Sequence, residues 1–444
     1  VKRQLVIVAG GKGTRLGEQF GNVPKALVPL ADKPILLHQL EWARHQRFEK
    51  VEIFAGHLAE QIVQFVQRLN WTEPNITVHT EEEPMGNAGA VISALPHLED
   101  RFTVVYGDLL LDLNVDRLED FHRNRQADFT TVVHPNDHPF DSDIIQCDAH
   151  WRVEKIHLYP HQTTTSLPNM VNAAMYMIER DSLVRNFKAV GKADFTKTIM
   201  PGLLAVGAHV AAYLTNEYVK DVGTPDRLVK GADDIANGVV RTSDISIGRA
   251  VIFLDRDGTL NEDDGQVTKP ERVKLLPSVP EALKKLRSAG YQLVIVTNQP
   301  MVAKGQATET DLQLVHQELQ WQLGLQRVFV DRIYYCPHHP DKGFEGERED
   351  LKIDCQCRKP RIGMFQQACQ ELDVDPSRSW MIGDRTVDIE FARRAGLRSV
   401  LLQTGDAGRD GKYEKEADFV AESLMEAAEL ICGETIKSEI PLSK

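Results

Sequence analysis

No apolar run in this sequence approaches the ~20 residues that a membrane-spanning helix needs, so no membrane partner is expected. A leader-like stretch is missing too: the chain opens VKRQLVIVAGG, a basic tip on a strand-like run, and cytoplasm is the expected compartment. Basic residues are in the minority. With 52 Lys and Arg against 65 Asp and Glu the net charge is −13, which argues against a nucleic-acid partner and leaves anionic small molecules to be met by local positive groups. Cysteine is scarce, six in 444 residues, and Cys336, Cys355 and Cys357 fall close together beside histidines. With no secretion expected, that clustering points to metal rather than disulfides. No low-complexity tract or internal repeat occurs, and oligomeric state is not readable.

What the sequence does contain is β/α alternation, twice over. A chain of 444 residues that is 42% hydrophobic can bury more than one core, and two or three domains are expected. In the first half LVIVA at 5–9, VEIFAG at 51–56, ITVHT at 76–80 and FTVVYGD at 102–108 are separated by helical stretches near 35–47 and 60–69. Short strand-like runs crowd together between 129 and 178, which predicts an antiparallel elaboration carrying a substrate pocket. After Gly238 the run VVRTSDISIGRA loses helical periodicity, and a second alternation begins with VIFLD at 251–255. The expected architecture is α/β: two doubly wound, Rossmann-like domains at 1–240 and 249–432, with 433–444 as a loose tail.

The first alternation opens with Gly10, Gly11 and Gly13 directly after a strand, where backbone N–H groups can approach phosphate oxygens with no Cβ in the way. A glycine cluster alone is only a turn. The longer string GGKGTRLGEQFGNVPKALVPL resembles the signature of sugar-1-phosphate nucleotidyltransferases, and EEEPMGNAGAV, YGD, WRVEKI, VNAAMYMI and YVKDVGTPDRL match that family in the same order. The resemblance implies that Gly10, Gly11, Gly13, Thr14 and Arg15 bind the nucleotide and that Lys25, with Arg15, takes charge on the phosphates. It further implies that Asp108 and Asp221 hold Mg2+, that Lys155 faces the sugar phosphate and that Asn172 faces the sugar hydroxyls. Attack of a sugar 1-phosphate on a nucleoside triphosphate brings two polyanions together, so the site needs cations and positioned donors but no side-chain nucleophile. HPNDHPFDSDII at 134–145 is most similar to D-glycero-α-D-manno-heptose 1-phosphate guanylyltransferases, which makes GTP and a heptose phosphate the expected substrates. Asn87 and Ala174 stand where relatives commonly carry threonine and glycine, and both bear on the identity of the sugar.

In VIFLDRDGTL, Asp255 ends an apolar strand and Asp257 follows two residues on, with Gly258 easing the turn. An Asx turn would account for that much. Thr297 and Asn298 in VIVTN, Lys359 in CRKP, and Asp384 and Asp388 in MIGDRTVD complete four motifs that resemble, in order, the haloacid dehalogenase phosphatase superfamily. By that resemblance Asp255 attacks phosphorus, Asp257 serves as acid and then base, and Thr297, Asn298 and Lys359 lie on the substrate. Mg2+ is expected on Asp255, Asp384 and the Asp257 carbonyl, with Asp388 orienting that shell. Cys336 and His338 form a C-x-H pair and Cys355 and Cys357 a C-x-C pair; three thiolates and one imidazole make a closed, structural Zn2+ site, with His339 as the competing ligand. CPHHP and CRKPRIGM resemble the D-glycero-D-manno-heptose 1,7-bisphosphate 7-phosphatases and also histidinol-phosphate phosphatases, and imply Arg358 as a contact for the substrate's remote phosphate. Pro300-Met301 replaces the Ser-Gly usual after Thr297-Asn298-Gln299, which removes an N–H from that turn.

Together the halves imply a two-step enzyme: a heptose 1,7-bisphosphate loses its 7-phosphate, and the 1-phosphate is coupled with GTP to give GDP-heptose and pyrophosphate. Two alternatives stay open: the same reactions on another sugar or base, or a first domain that senses a nucleotide sugar and regulates the phosphatase.

Overall fold

The computed structural model describes residues 2–11, 21–81, 83–161, 166–187, 191–242, 248–263, 265 and 267–439. Gly13, Thr14 and Arg15 lie outside the described residues. The chain divides into two compact units, one made of Val1–His134, Phe140–His161 and Met170–Asp244, the other of Pro135–Pro139, Gln162–Asn169 and Ile245–Lys444.

In the first unit the strands Arg101–Tyr106, Gln4–Ala9, Lys50–Ala55 and Asn75–Thr80 lie side by side and parallel. Side chains alternate across this sheet as a strand's period of two dictates. Leu5 and Ile7 pack with Leu36 and Leu40 of the helix Ile35–His45, while Val6 and Val8 pack with Ala88 and Val91 of the helix Gly86–Ala94. The expected antiparallel elaboration is present: Val171–Glu179 pairs with both Arg101–Tyr106 and Phe129–His134, and Ile144–Cys147 pairs with Val153–His157. Its register shifts between Asn172 and Tyr176, and Ala174 within that bulge has φ 53°, a left-handed conformation that costs glycine far less than alanine. A separate antiparallel pair, Leu109–Asp112 with Tyr218–Asp221, brings the residues after two strands together.

The second unit is a six-stranded sheet, parallel throughout, with Val251–Leu254 between Gln292–Asn298 and Trp380–Gly383. Both faces are covered. Val251 and Phe253 join Met364, Phe365 and Phe391 on one side, and Ile252 and Leu254 join Leu283, Leu286 and Leu319 on the other. The strand order runs outward in both directions from Val251–Leu254, so a crevice opens at the carboxyl end of that strand, where ligands of open α/β sheets bind.

Two local expectations are corrected. The residues after Gly238 still form a helical turn, Val239–Thr242. Residues 433–439 of the segment read as a tail continue the helix Leu424–Glu439, with good helix formers such as Glu434 and Lys437 offsetting Gly433, while residues 440–444 lie outside the described residues.

Candidate active sites

Asp255 follows Val251–Leu254, Thr297 and Asn298 end the neighbouring strand Gln292–Asn298, and Asp384 follows Trp380–Gly383, so the parallel sheet delivers all four to one edge. Lys359 arrives from the loop before the helix Gly363–Leu372. Its Nζ lies 2.9 Å from Asp255 Oδ1 and 2.6 Å from Asp388 Oδ1, with all three residues buried. Burial alone would lower the Lys359 ammonium, but the Asp255 and Asp388 carboxylates outweigh it and raise it. One carboxylate oxygen from each of Asp255, Asp384 and Asp388 falls within 4.8 Å of the others. Burial, then the charges of Asp255 and Asp388, push Asp384 up to about 8. Asp384 Oδ2 accepts from Asp406 N at 2.7 Å, whereas its buried Oδ1 has no partner. A buried carboxylate cluster with an orphaned oxygen fits a divalent cation, which would offset the repulsion. Gly258, at φ 78°, is obligatory here because a Cβ would run into the Asp384 carboxylate.

Asp257 is held from three directions. Arg256, fully buried, forks onto it through Nε (3.0 Å) and Nη2 (2.8 Å), Asn261 Nδ2 donates to Oδ1 at 2.9 Å, and Gln299 Nε2 donates to Oδ2 at 2.8 Å. Burial pushes Asp257 up, but the guanidinium and these donors outweigh it, so the carboxyl stays below its ordinary range. Asn298 lines the cavity over Asp255, and its amide also exchanges hydrogen bonds with the Lys359 backbone, donating to O at 3.1 Å and accepting from N at 2.9 Å. It anchors the lysine's loop. Thr297 Oγ1 accepts from Gln299 Nε2 at 2.8 Å and lines the cavity of about 540 Å³ that opens over Asp255 and also takes in Arg358.

The four zinc candidates converge. Sγ separations among Cys336, Cys355 and Cys357 are 3.2–3.4 Å, and His338 Nδ1 lies 3.2 Å from Cys357 Sγ and 3.7 Å from Cys336 Sγ. Those edges are too long for disulfides and close to the ~3.8 Å expected of a tetrahedron built on ~2.3 Å Zn–S bonds, so the donor set fits zinc. His339 points elsewhere: its Nδ1 accepts from Asp341 N at 3.2 Å.

In the first unit the pair Leu109–Asp112 with Tyr218–Asp221 brings Asp108 and Asp221 together, and Val222 N donates to Asp108 O at 2.9 Å. Lys25, from the short helix Lys25–Leu27, pairs with Asp108. Asp221 accepts from Gly223 N at 2.6 Å and from Arg227 Nη1 at 2.6 Å, and Arg227 also reaches Asp141 at 3.4 Å. Each carboxylate thus already has an internal cation, and a divalent ion held by the pair would displace Lys25 toward the phosphates. A cavity of about 290 Å³ is lined by Gly10, Gly11, Lys25, Asp108, Glu81 and Asn87 among others.

Sequence reasoning missed Glu81. It follows the strand Asn75–Thr80, and among the described residues its Oε1 is buried with no partner and its Oε2 accepts only from Met85 N at 3.4 Å. Burial raises it above the ordinary carboxylate range, against that one N–H. A Cβ on Gly10 would stand 3.1 Å from Oε1, so the glycine makes room for this carboxylate. The signal was present in the string EEEP, but an acidic triplet reads as a solvated turn.

Two other expectations find different surroundings. Lys155 is exposed on Val153–His157 and does not line the cavity. Asn172 is fully engaged: Nδ2 donates to Thr196 Oγ1 (2.8 Å) and Tyr176 OH (3.1 Å), and Oδ1 accepts from Thr131 Oγ1 (3.1 Å) and Ala174 N (3.2 Å). Asn87 likewise ties the helical segment Phe195–Ile199, donating to Asp194 Oδ2 at 2.7 Å and accepting from Phe195 N at 2.9 Å.

Comparison with known proteins agrees with this geometry. The nucleotidyl transferase family model matches residues 4–238, and the HAD-hydrolase-like model matches residues 356–427. A D-glycero-beta-D-manno-heptose-1,7-bisphosphate 7-phosphatase of Haemophilus ducreyi is 43% identical over 182 residues, which is 40% of this chain and 97% of that protein. The protein of the same name from Pasteurella multocida is 41% identical over 187 residues, 42% of this chain and 98% of its own length. The crystal structure of HddC from Yersinia pseudotuberculosis matches with a TM-score of 0.46 and 24% identity, covering 52% of this chain and 99% of that one. The chain belongs to the nucleotidyl transferase family through its first unit and to the family of these HAD-like phosphatases through its second, and is an enzyme of both kinds.

Proposed function

We propose that the second unit removes the 7-phosphate of D-glycero-D-manno-heptose 1,7-bisphosphate and that the first unit couples the resulting 1-phosphate with GTP, giving GDP-heptose and pyrophosphate. The phosphatase reading is carried by Lys359 bridging Asp255 and Asp388 below a cavity rich in basic side chains. Asp255 Oδ attacks phosphorus while the Lys359 ammonium compensates charge on the carboxylate and the transferred group. Asp257 gives a proton to the leaving sugar oxygen and then takes one from the water that opens the aspartyl phosphate, which restores both aspartates. Mg2+ held by Asp255, Asp384 and the Asp257 carbonyl would supply charge neutralisation at the phosphoryl group, and zinc held by Cys336, His338, Cys355 and Cys357 would fix the loop that carries Arg358 and Lys359. Arg358 is assigned to the remote phosphate.

In the first unit Gly10 and Gly11, with Gly13, Thr14 and Arg15, cradle the nucleotide, Lys25 meets the phosphates, and Asp108 and Asp221 would hold the second Mg2+. Lys155 and Asn172 stay assigned to the sugar side, Asn172 by shaping the bulge beside it. Guanine is favoured by Glu81, whose two carboxylate oxygens, engaged among the described residues only by one 3.4 Å bond from Met85 N, match the two adjacent donors, N1–H and N2–H, on the edge of that base. The phosphatase relatives are named for the β anomer, while the 134–145 pattern is that of an α-specific guanylyltransferase. Incubating the full chain with the separate α and β heptose 1,7-bisphosphates, GTP and Mg2+ tests the assignment: GDP-heptose from the α anomer is expected. Nucleotide binding with no pyrophosphate release would favour the sensor reading, and phosphate release from the β anomer alone would overturn the anomer. A reducing, GTP-containing cytoplasm is the setting in which both steps and the thiolate cluster operate.

A further inference from the structure

Pro300 and Met301 end a run of five consecutive residues, 297–301, that lines the cavity over Asp255 and is the longest continuous piece of its wall. The polar groups of this run are spent inside the protein. Gln299, fully buried, uses both amide hydrogens, on Asp257 Oδ2 and Thr297 Oγ1 at 2.8 Å each; its Oε1 accepts from Arg256 Nη2 at 3.0 Å, and its N–H donates to Cys336 O at 2.8 Å. Asn298 is held at both ends of its amide by the Lys359 backbone, at 3.1 and 2.9 Å. Thr297, buried as well, keeps its own hydroxyl proton, which the phosphoryl group takes on the reading above. Pro300 has no N–H, and its carbonyl already accepts from Lys304 N at 2.9 Å. What the half-buried Pro300 adds to the wall is its ring. The turn is fixed from behind: Met301, Val302 and Ala303 pack with Leu312 and Leu351, and Gln306 N closes it on Met301 O at 2.9 Å.

A primary phosphate seated on Thr297 and Lys359 leads its carbon chain away along this wall, where Pro300 offers carbon and no hydrogen bond. Resting on the phosphatase reading above, we propose that Pro300 makes the second unit indifferent to the hydroxyl on the carbon next to the phosphate-bearing one. Primary phosphates with either configuration at that carbon, or with no hydroxyl there, are then substrates. A site that hydrogen-bonds a hydroxyl rejects the compound lacking it by ~10⁴-fold or more, because its own polar groups are left unpaired; an apolar wall has nothing to leave unpaired.

The test is kcat/KM for phosphate release by the full chain from heptose 1,7-bisphosphate, its C6 epimer and the 6-deoxy compound. The same is measured for the two enantiomers of glycerol 3-phosphate and for 1,3-propanediol monophosphate, which carry the same three arrangements on a fragment. Values within about 10-fold of one another are expected in each set, and Pro300→Ser, which returns an N–H and adds a hydroxyl, should raise the preference for one configuration at least ~10-fold. Pro300→Ala, which returns the N–H alone, reads the same effect if the serine variant folds poorly. A parent preference of ~100-fold or more within a set overturns the proposal while the phosphatase reading stands. Indifference that persists in both variants overturns the role of Pro300. Equal turnover of the glycerol phosphates with none of the heptose compounds upholds the proposal and removes the heptose, and no phosphate from any compound removes the phosphatase reading and the proposal with it.

Discussion

Replacing Glu81 by Gln should collapse the preference for GTP. Among the described residues Oε1 is buried and unpartnered and Oε2 accepts one long bond from Met85 N at 3.4 Å, so little competes with a ligand for the carboxylate. Guanine presents N1–H and N2–H side by side. Two charge-assisted hydrogen bonds at ~1.5–3 kcal/mol each amount to ~3–6 kcal/mol, or ~10²- to 10⁴-fold in kcat/KM. Desolvation of the carboxylate, visible in its raised pKa, takes back part of that gain, so the lower end is the firmer expectation. Gln keeps the shape but offers one acceptor and sets an NH2 against a guanine donor, whereas that acceptor and donor suit adenine N6–H and N1. Pyrophosphate release with heptose 1-phosphate and each of GTP, ATP, UTP and CTP reads the outcome: GTP use falls at least ~100-fold and ATP gains relative to it. Because Glu81 titrates above a free carboxylate, GTP preference should also fade on acidification at a higher pH than an exposed glutamate would give. A Glu81→Gln enzyme that still prefers GTP as strongly as the parent refutes this account of base choice.

Asp255→Asn should lower phosphate release at least ~10³-fold and spare pyrophosphate release, and Asp108→Ala should do the reverse; loss of both activities in either variant would contradict two separate sites. Elemental analysis should find one zinc per chain, absent in Cys357→Ser, with phosphatase activity lost and transferase activity kept; a structural zinc contributes ~10 kcal/mol or more, comparable to the whole stability of a domain. Metal-free stability should depend on pH with a definite sign. Asp384 is pushed up to about 8 by burial and the neighbouring carboxylates, so between ~4, its unfolded value, and 8 the folded chain binds more protons than the unfolded one, and stability falls as pH rises through that window. Mg2+ should therefore raise the melting temperature of the second unit more at pH 8 than at pH 6, and Asp384→Asn should flatten the difference; an equal shift at both pH values in the parent would rule this out.

What could be read from the sequence was whatever lies at strand ends in a fixed order. Asp255, Lys359, Asp384 and Asp388 meet because a parallel sheet must deliver the residues after its strands to one edge, and Cys336 and His338, at the end of the strand Arg332–Cys336, meet Cys355 and Cys357 of the loop before the helix Gly363–Leu372. Side-chain direction was not legible. Asn172 lies on the expected strand, yet the bulge at Ala174 turns its amide into a four-bonded support, and Asn298, which lines the cavity, also clamps the Lys359 backbone. Glu81 and Arg227 escaped notice for the opposite reason: acidic and basic residues in turns are usually solvated, and only the enclosing backbone shows that one is orphaned and the other paired to Asp221.

The two sites rest in opposite electrostatic states, and that difference orders their chemistry. Around Asp255 three buried carboxylates share one ammonium, so the site is short of positive charge and a cation plus the Lys359 bridge must be in place before an anionic phosphoryl group can approach. In the first unit Asp108 and Asp221 already hold Lys25 and Arg227, so nothing is missing at rest. On the proposed reading the substrates would exchange partners rather than fill a deficit: Lys25 would leave Asp108 for a phosphate, and the freed carboxylate would be left to hold a cation. A phosphatase site built on a deficit would wait only for its cation and one substrate, whereas a transferase site built on exchange would wait for two ligands at once, which supports the proposed order with the phosphatase as supplier and the transferase as the committing step.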